Sequence, residues 1–127
     1  MVAGNDINAE TEADTRANRI EPALYAAGWT KPMVKREEIA PGRILEGGRR
    51  ASAMYADFVL RYKGHKLAAV EAKRSGVKTT EGVGQAKEYA KRLKTRFAYA
   101  TNGLTWYEID MVSGLSLIHI SEPTRPY

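Results

Sequence analysis

Two carboxylates and a lysine stand where a single turn can gather them. Glu71 and Lys73 flank Ala72 at the end of an apolar run, LAAVEAK, and Asp57 lies inside a second run, YADFVL. A strand sends residues i and i+2 to one face, so Glu71 and Lys73 project together. If Met54–Tyr62 and Lys66–Lys73 form a hairpin around a three-residue turn, Lys63-Gly64-His65, then Tyr62 pairs with Lys66 and Asp57 falls opposite Glu71. Directly opposed residues share a face at about 5 Å. A two-residue turn would put Asp57 on the other side. Two carboxylates that close resist ionising together. A hard divalent cation such as Mg²⁺, held by one or two carboxylates and retained waters, removes the conflict. It would polarise a phosphodiester and help generate hydroxide, with Lys73 positioning the water or offsetting charge on phosphorus. The same spacing suits a surface ion pair between Lys73 and the two acids, and spacing by itself leaves both readings open.

The elements that must position these residues can be read from periodicity. From Glu10 to Ala27 the residues Ala13, Ala17, Ile20, Leu24 and Ala27 recur at spacings of three or four, which predicts a helix with one apolar face. Thr11 or Asp6 is the candidate cap, and Pro22 should kink the helix or begin a second short one. Gly28 stops the run and Trp29 follows as a core anchor. A strand is expected over Val34–Ile39, then a Gly-rich basic loop, PGRILEGGRR, then the two hairpin strands. Glu81–Lys94 reads as a helix presenting Val83, Ala86, Tyr89, Ala90 and Leu93 on one face, and FAYAT and TWYEIDM as two strands separated by Asn102-Gly103. Helix, three strands, helix, two strands is an α/β order.

A length of 127 residues suits one domain with one modest core. No apolar run is long enough for a membrane span, and the polar, acidic N-terminal stretch does not resemble a secretory signal; a cytoplasmic location is the expectation. The absence of cysteine excludes disulfides, thiolate zinc sites and a cysteine nucleophile. The net charge of +5 permits a polyanionic partner. Up to Asp14 there are only carboxylates, and the bases concentrate from Arg43 to Arg96. Arg43, Arg49 and Arg50 in the Gly-rich loop, and Arg74 and Lys78 just past the acidic pair, are the candidate phosphate contacts, although a basic residue taken singly is more often a solvated surface charge.

Asp57, thirteen intervening residues, then Glu71-x-Lys73 resembles the PD-(D/E)XK nuclease superfamily. The wider context is similar to one branch of it, the N-terminal nuclease domain of the motor (R) subunit of type I restriction enzymes. The matching residues are Glu12-Ala-Asp-Thr-Arg16, Glu21-Pro-Ala-Leu24, Ala27-Gly-Trp29, Ala56-Asp-Phe-Val-Leu60, Val70-Glu-Ala-Lys73, Glu81-Gly-Val-Gly-Gln-Ala-Lys87 and Tyr99-Ala-Thr-Asn-Gly103. The resemblance implies a restriction-endonuclease-like mixed sheet flanked by helices, incomplete at the C-terminus. It implies Asp57 and Glu71 as Mg²⁺ ligands and Lys73 as catalytic, with Ala56 standing where the family's proline is. The family's Gln-xxx-Tyr motif falls on Gln85 and Tyr89, on one helix face. There Gln85 would join the catalytic set, holding a backbone phosphate or the lysine, and Tyr89 would meet DNA or pack in the core. A first-helix acid, Glu12 or Asp14, sometimes joins the metal shell in the superfamily; helix N-terminal charge is the alternative.

The implied partners are double-stranded DNA and the methyltransferase and specificity subunits of a restriction complex, with ATP needed only by a translocase. No GxxxxGK[ST] phosphate loop is present, so this chain by itself is expected neither to bind ATP nor to translocate. A standalone repair or junction nuclease of the superfamily, and an inactive DNA-binding module of the same fold, are the other readings. The segment LSLIHISEPTR within 115–127 matches the in-frame translation of a transposon-library sequencing adapter. Residues 1–114 are therefore expected to be the nuclease part and 115–127 a non-native tail, which removes His119 from consideration.

Overall fold

The computed structural model describes residues 10–40, 46–48, 54–114 and 116–119. A first helix, α1 (12–26), is built from an α-helical turn Glu12–Thr15, a π-helical turn Arg16–Ile20 and an α-helical segment Glu21–Ala26. It is followed by β1 (Val34–Ala40), β2 (Met54–Tyr62) and β3 (His65–Ala72). A second helix, α2 (Val83–Leu93), precedes β4 (Phe97–Thr101), β5 (Trp106–Asp110) and β6 (Ser116–His119). The strands lie in one mixed sheet in the order β1-β2-β3-β4-β5-β6. Neighbours are antiparallel except β3 and β4, which run parallel because the α2 crossover joins them.

Helices cover both faces, which is why β3 is buried almost continuously rather than alternately. On one face Ile20, Leu24 and Trp29 pack against Phe58, Leu60, Val70 and Trp106. On the other, Ala86, Tyr89, Ala90 and Leu93 of α2 pack against Val59, Ala69, Ala98 and Ile109. The predicted inner faces of α2 and of the C-terminal half of α1 are therefore as expected. The first half of α1 differs: Ala13 and Ala17 are exposed and Thr15 is fully buried. The π turn is the cause. It widens the helix so that residues five apart share a face, aligning Thr15 with Ile20 instead of Ala17. Pro22, which lacks an N–H and would clash one turn back, sits in the first turn of the segment that follows.

The hairpin corrects one expectation and preserves its consequence. The turn has two residues, not three: Tyr62 pairs with His65 across Lys63 (φ 49°) and Gly64 (φ 80°). Positive φ at both positions gives the twist that joins antiparallel strands tightly. The register then shifts between Leu60 and Arg61, leaving Leu67 as an extra residue on β3. Beyond the bulge Phe58 faces Val70, so the next step along the ladder sets Asp57 across from Glu71.

Part of the expected tail is seen as backbone: Ser116–His119 adds an edge strand antiparallel to β5. Residues 120–127 lie outside the described residues. Among the described residues no helix is long and apolar enough to cross a membrane.

Candidate active site

The α2-side face of the sheet places Asp57, in the middle of β2, across from Glu71 near the end of β3. Asp57 Oδ2 accepts a hydrogen bond from the Ala72 N–H at 2.8 Å, so the carboxylate is pinned to the neighbouring strand. Lys73 continues that strand, its N–H donating to the Thr101 carbonyl at 2.8 Å. Its ammonium lies 3.5 Å from Glu71 Oε2 and donates to Gln85 Oε1 at 2.8 Å. Of the two roles expected for Gln85, the geometry therefore supplies the contact to the lysine.

Glu71 is the unusual member. It is 4% exposed, and its Oε1 is buried with no hydrogen-bond partner. Burial pushes its pKa up to about 8, aided by the Asp57 carboxylate beside it, while Lys73 and the Tyr89 hydroxyl pull in the other direction. A buried polar oxygen without a partner costs on the order of 1–3 kcal/mol, which marks Glu71 as a candidate functional group. Of the two roles weighed for Tyr89, DNA contact and core packing, the structure shows the second: it is buried in the α2-side core, where burial and then the Glu71 charge raise its pKa. Gly82 packs tightly against the acid: a Cβ there would lie 3.1 Å from Glu71 Cγ and 3.4 Å from Lys73 Cγ. Gly82 lies within the Glu81–Lys87 motif, but nothing in its spacing signals this close approach.

Helix α1 brings a further group that sequence reading missed. Arg16 Nη1 donates to Asp57 Oδ1 at 2.9 Å and to Glu12 Oε1 at 3.0 Å. Burial, then the Asp57 charge, raises the pKa of Glu12, so this acid belongs to the electrostatics of the site. Asp14 does not. Its carboxylate and Thr11 exchange hydrogen bonds in a capping box at the helix start. The Glu12–Arg16 spacing of one helical turn was the available signal for the pair.

Nearby, Glu10 is closed off by partners. It pairs with Arg19 at 2.7 Å and accepts from Ser75 Oγ at 2.9 Å and Thr15 Oγ1 at 3.4 Å. This cluster ties α1 to the loop that leaves Lys73. Arg74 and Lys78 are exposed on that loop, and Lys78 lines an open cavity of about 350 Å³ with Thr79, Thr80, Asn102, Thr105 and Tyr107. Arg43, Arg49 and Arg50 lie outside the described residues. Among the described residues no group of three or more His, Asp or Glu side chains is arranged to hold a metal ion. The donor set is a carboxylate pair, which suits a cation that keeps most of its waters.

The chain is 36% identical over 99 residues to the EcoAI endonuclease subunit, a type I restriction enzyme subunit of Escherichia coli. That match covers 73% of this chain and 12% of the relative. By sequence, this chain is a relative of type I restriction endonuclease subunits. The fold agrees: a solved fragment assigned to the HsdR subunit of a type I restriction enzyme from Vibrio vulnificus YJ016 superposes with a TM-score of 0.76 at 30% identity. That comparison covers 91% of this chain and 24% of the HsdR fragment. The chain thus spans a small part of the length of the type I restriction subunits it matches. No family model matches it.

Proposed function

We propose that this chain is the Mg²⁺-dependent nuclease part of a type I restriction endonuclease subunit, hydrolysing phosphodiester bonds of double-stranded DNA. The observation that carries the reading is the buried, unpartnered Glu71 Oε1 beside Asp57, with Lys73 on the same face. Asp57 and Glu71 would hold the ion, which when bound polarises the phosphodiester and lowers the pKa of water. The remaining work falls to the protein's own groups. Lys73, steadied by Gln85, orients the attacking water and offsets charge that builds on phosphorus as the P–O bond to the leaving oxygen breaks. Tyr89 and Gly82 hold Glu71 in place. Arg74 and Lys78 face solvent where flanking phosphates would run.

The partners in this reading are the methyltransferase and specificity subunits, with ATP consumed by a translocase. Similarity to two type I restriction subunits favours it over a standalone repair or junction nuclease, which would use the same three side chains. The test is Asp57→Ala in the full-length subunit assembled with its partners. Cleavage should be abolished while ATP-driven translocation and DNA binding persist. Lys73→Ala should also stop cleavage but leave Mn²⁺ binding mostly intact, because an ammonium is no ligand for a hard cation. Cleavage by Asp57→Ala at the wild-type rate, with the fold unchanged, would reject the assignment.

A further inference from the structure

One guanidinium nitrogen serves two carboxylates at the edge of the site. Arg16 Nη1 carries two hydrogens and spends one on Asp57 Oδ1 and one on Glu12 Oε1. Asp57 Oδ2 is engaged by the Ala72 N–H, so Arg16 sits on the oxygen that has no backbone donor. The other arginine of this helix, Arg19, is committed to Glu10 through three hydrogen bonds and has no share in the site. Arg16 is about a quarter exposed, which leaves its head group room to move outward.

We infer that Arg16 competes with the divalent cation for Asp57, and that Glu12 is the second anchor that keeps the guanidinium at the site when the cation wins. The inference rests on the proposed role of Asp57 as a metal ligand. Its physical basis is direct. A cation at Asp57 Oδ1 and a guanidinium 2.9 Å from the same atom repel one another. Only the Asp57 bond has to be surrendered, because the second hydrogen of Nη1 still has Glu12. Such an arrangement sets a threshold: the site charges only when the cation is abundant enough to displace the arginine. Arg16 is thus a positioning residue for the carboxylate and not a catalytic one.

Calorimetric titration of the whole 127-residue chain with Mn²⁺ reads this directly. Arg16→Gln should bind Mn²⁺ roughly tenfold more tightly than wild type, the loss of one charge-assisted hydrogen bond. Arg16→Lys keeps the charge but cannot bridge both acids, and should fall between the two. It also guards against failure of the Gln variant to fold, with circular dichroism checking both. Equal affinity for wild type and Arg16→Gln would overturn the role of Arg16 while leaving the two-carboxylate site standing. Wild-type affinity in Arg16→Lys beside a gain in Arg16→Gln would reduce the effect to net charge and overturn the direct competition. Undiminished binding by Asp57→Asn would sink the metal-ligand reading, and the inference with it.

Discussion

Two buried glutamates, Glu10 against α1 and Glu71 on the α2-side face of the sheet, live in opposite electrostatic worlds. Glu10 has an arginine fork and two hydroxyls around it, and Arg19 holds its pKa below the ordinary 4.5 against the effect of burial. Glu71 is as deeply buried but keeps an oxygen without a partner, and burial with Asp57 pushes it up to about 8. The difference separates structural from chemical use of a carboxylate. A closed network spends every acceptor on the fold. An open one leaves an acceptor unused at a cost in stability, which under the proposed function is the acceptor that the cation takes.

Exchanging each acid for its amide is the strongest test of that contrast. Glu71→Gln should lower DNA cleavage by the assembled enzyme by on the order of 10³ or more, while Glu10→Gln stays within a few-fold at temperatures where it is folded. Melting should show the reverse: several degrees lost for Glu10→Gln and none for Glu71→Gln. If both variants lose stability and neither loses cleavage, the two networks are alike and the comparison collapses.

Their pH dependences should also run in opposite directions. The unfolded chain releases the Glu71 proton near 4.5, whereas the folded protein keeps it up to about 8. Stability contributed by this group therefore falls as pH rises across that window, and a wild-type minus Glu71→Gln denaturation series should trace the fall. Glu10, with its pKa lowered, contributes fully above 4.5 and loses that contribution in acid, as pH drops through its folded value. A flat difference curve for Glu71 between pH 4.5 and 8 would contradict its burial as an unpartnered acid.

Smaller effects probe the supports. Gly82→Ala inserts a methyl 3.1 Å from Glu71 Cγ and should slow cleavage by roughly tenfold through displacement of the carboxylate, with melting little changed. Smallest is Asp14→Ala, which opens half of the capping box. It should cost about 0.5–1 kcal/mol in urea denaturation and leave cleavage at the wild-type level. A cleavage defect there would mean that Asp14, and not Glu12 alone, belongs to the site.

Most of the architecture was legible because local patterns dominate it. The limits of β2 and β4, the stripe of α2 and the α/β order all follow from residue periodicity and turn signals. Glu71 and Lys73 share a face as a period of two requires, whereas Asp57 was set opposite Glu71 through a three-residue turn that the protein lacks, and the bulge at Leu67 restores that pairing. Two features were hidden because they are not periodic. A π turn leaves no mark in the spacing of alanines, so the inner face of the first helical turn moved from Ala17 to Thr15. Nor does sequence announce which of two acids will aim inward: Glu12 and Asp14 differ by two positions, and rotation of the helix sends one to the site and the other to the cap. Arg16 stood in a quoted motif, yet its contact with Asp57 crosses forty-one positions and needed the fold to appear.

The hairpin holds a lesson about parity. Which face a strand residue occupies depends only on whether the count to its partner is odd or even. Between Asp57 and Glu71 that count is altered twice, once by the short turn and once by the bulge at Leu67, and the two changes cancel. A lost or gained residue in the turn would be silent if the bulge came or went with it, and ruinous if not. The interval separating the two acids is thus free to drift among relatives in compensated steps. A search that insists on one fixed spacing would pass over chains whose strands bring the same carboxylates together.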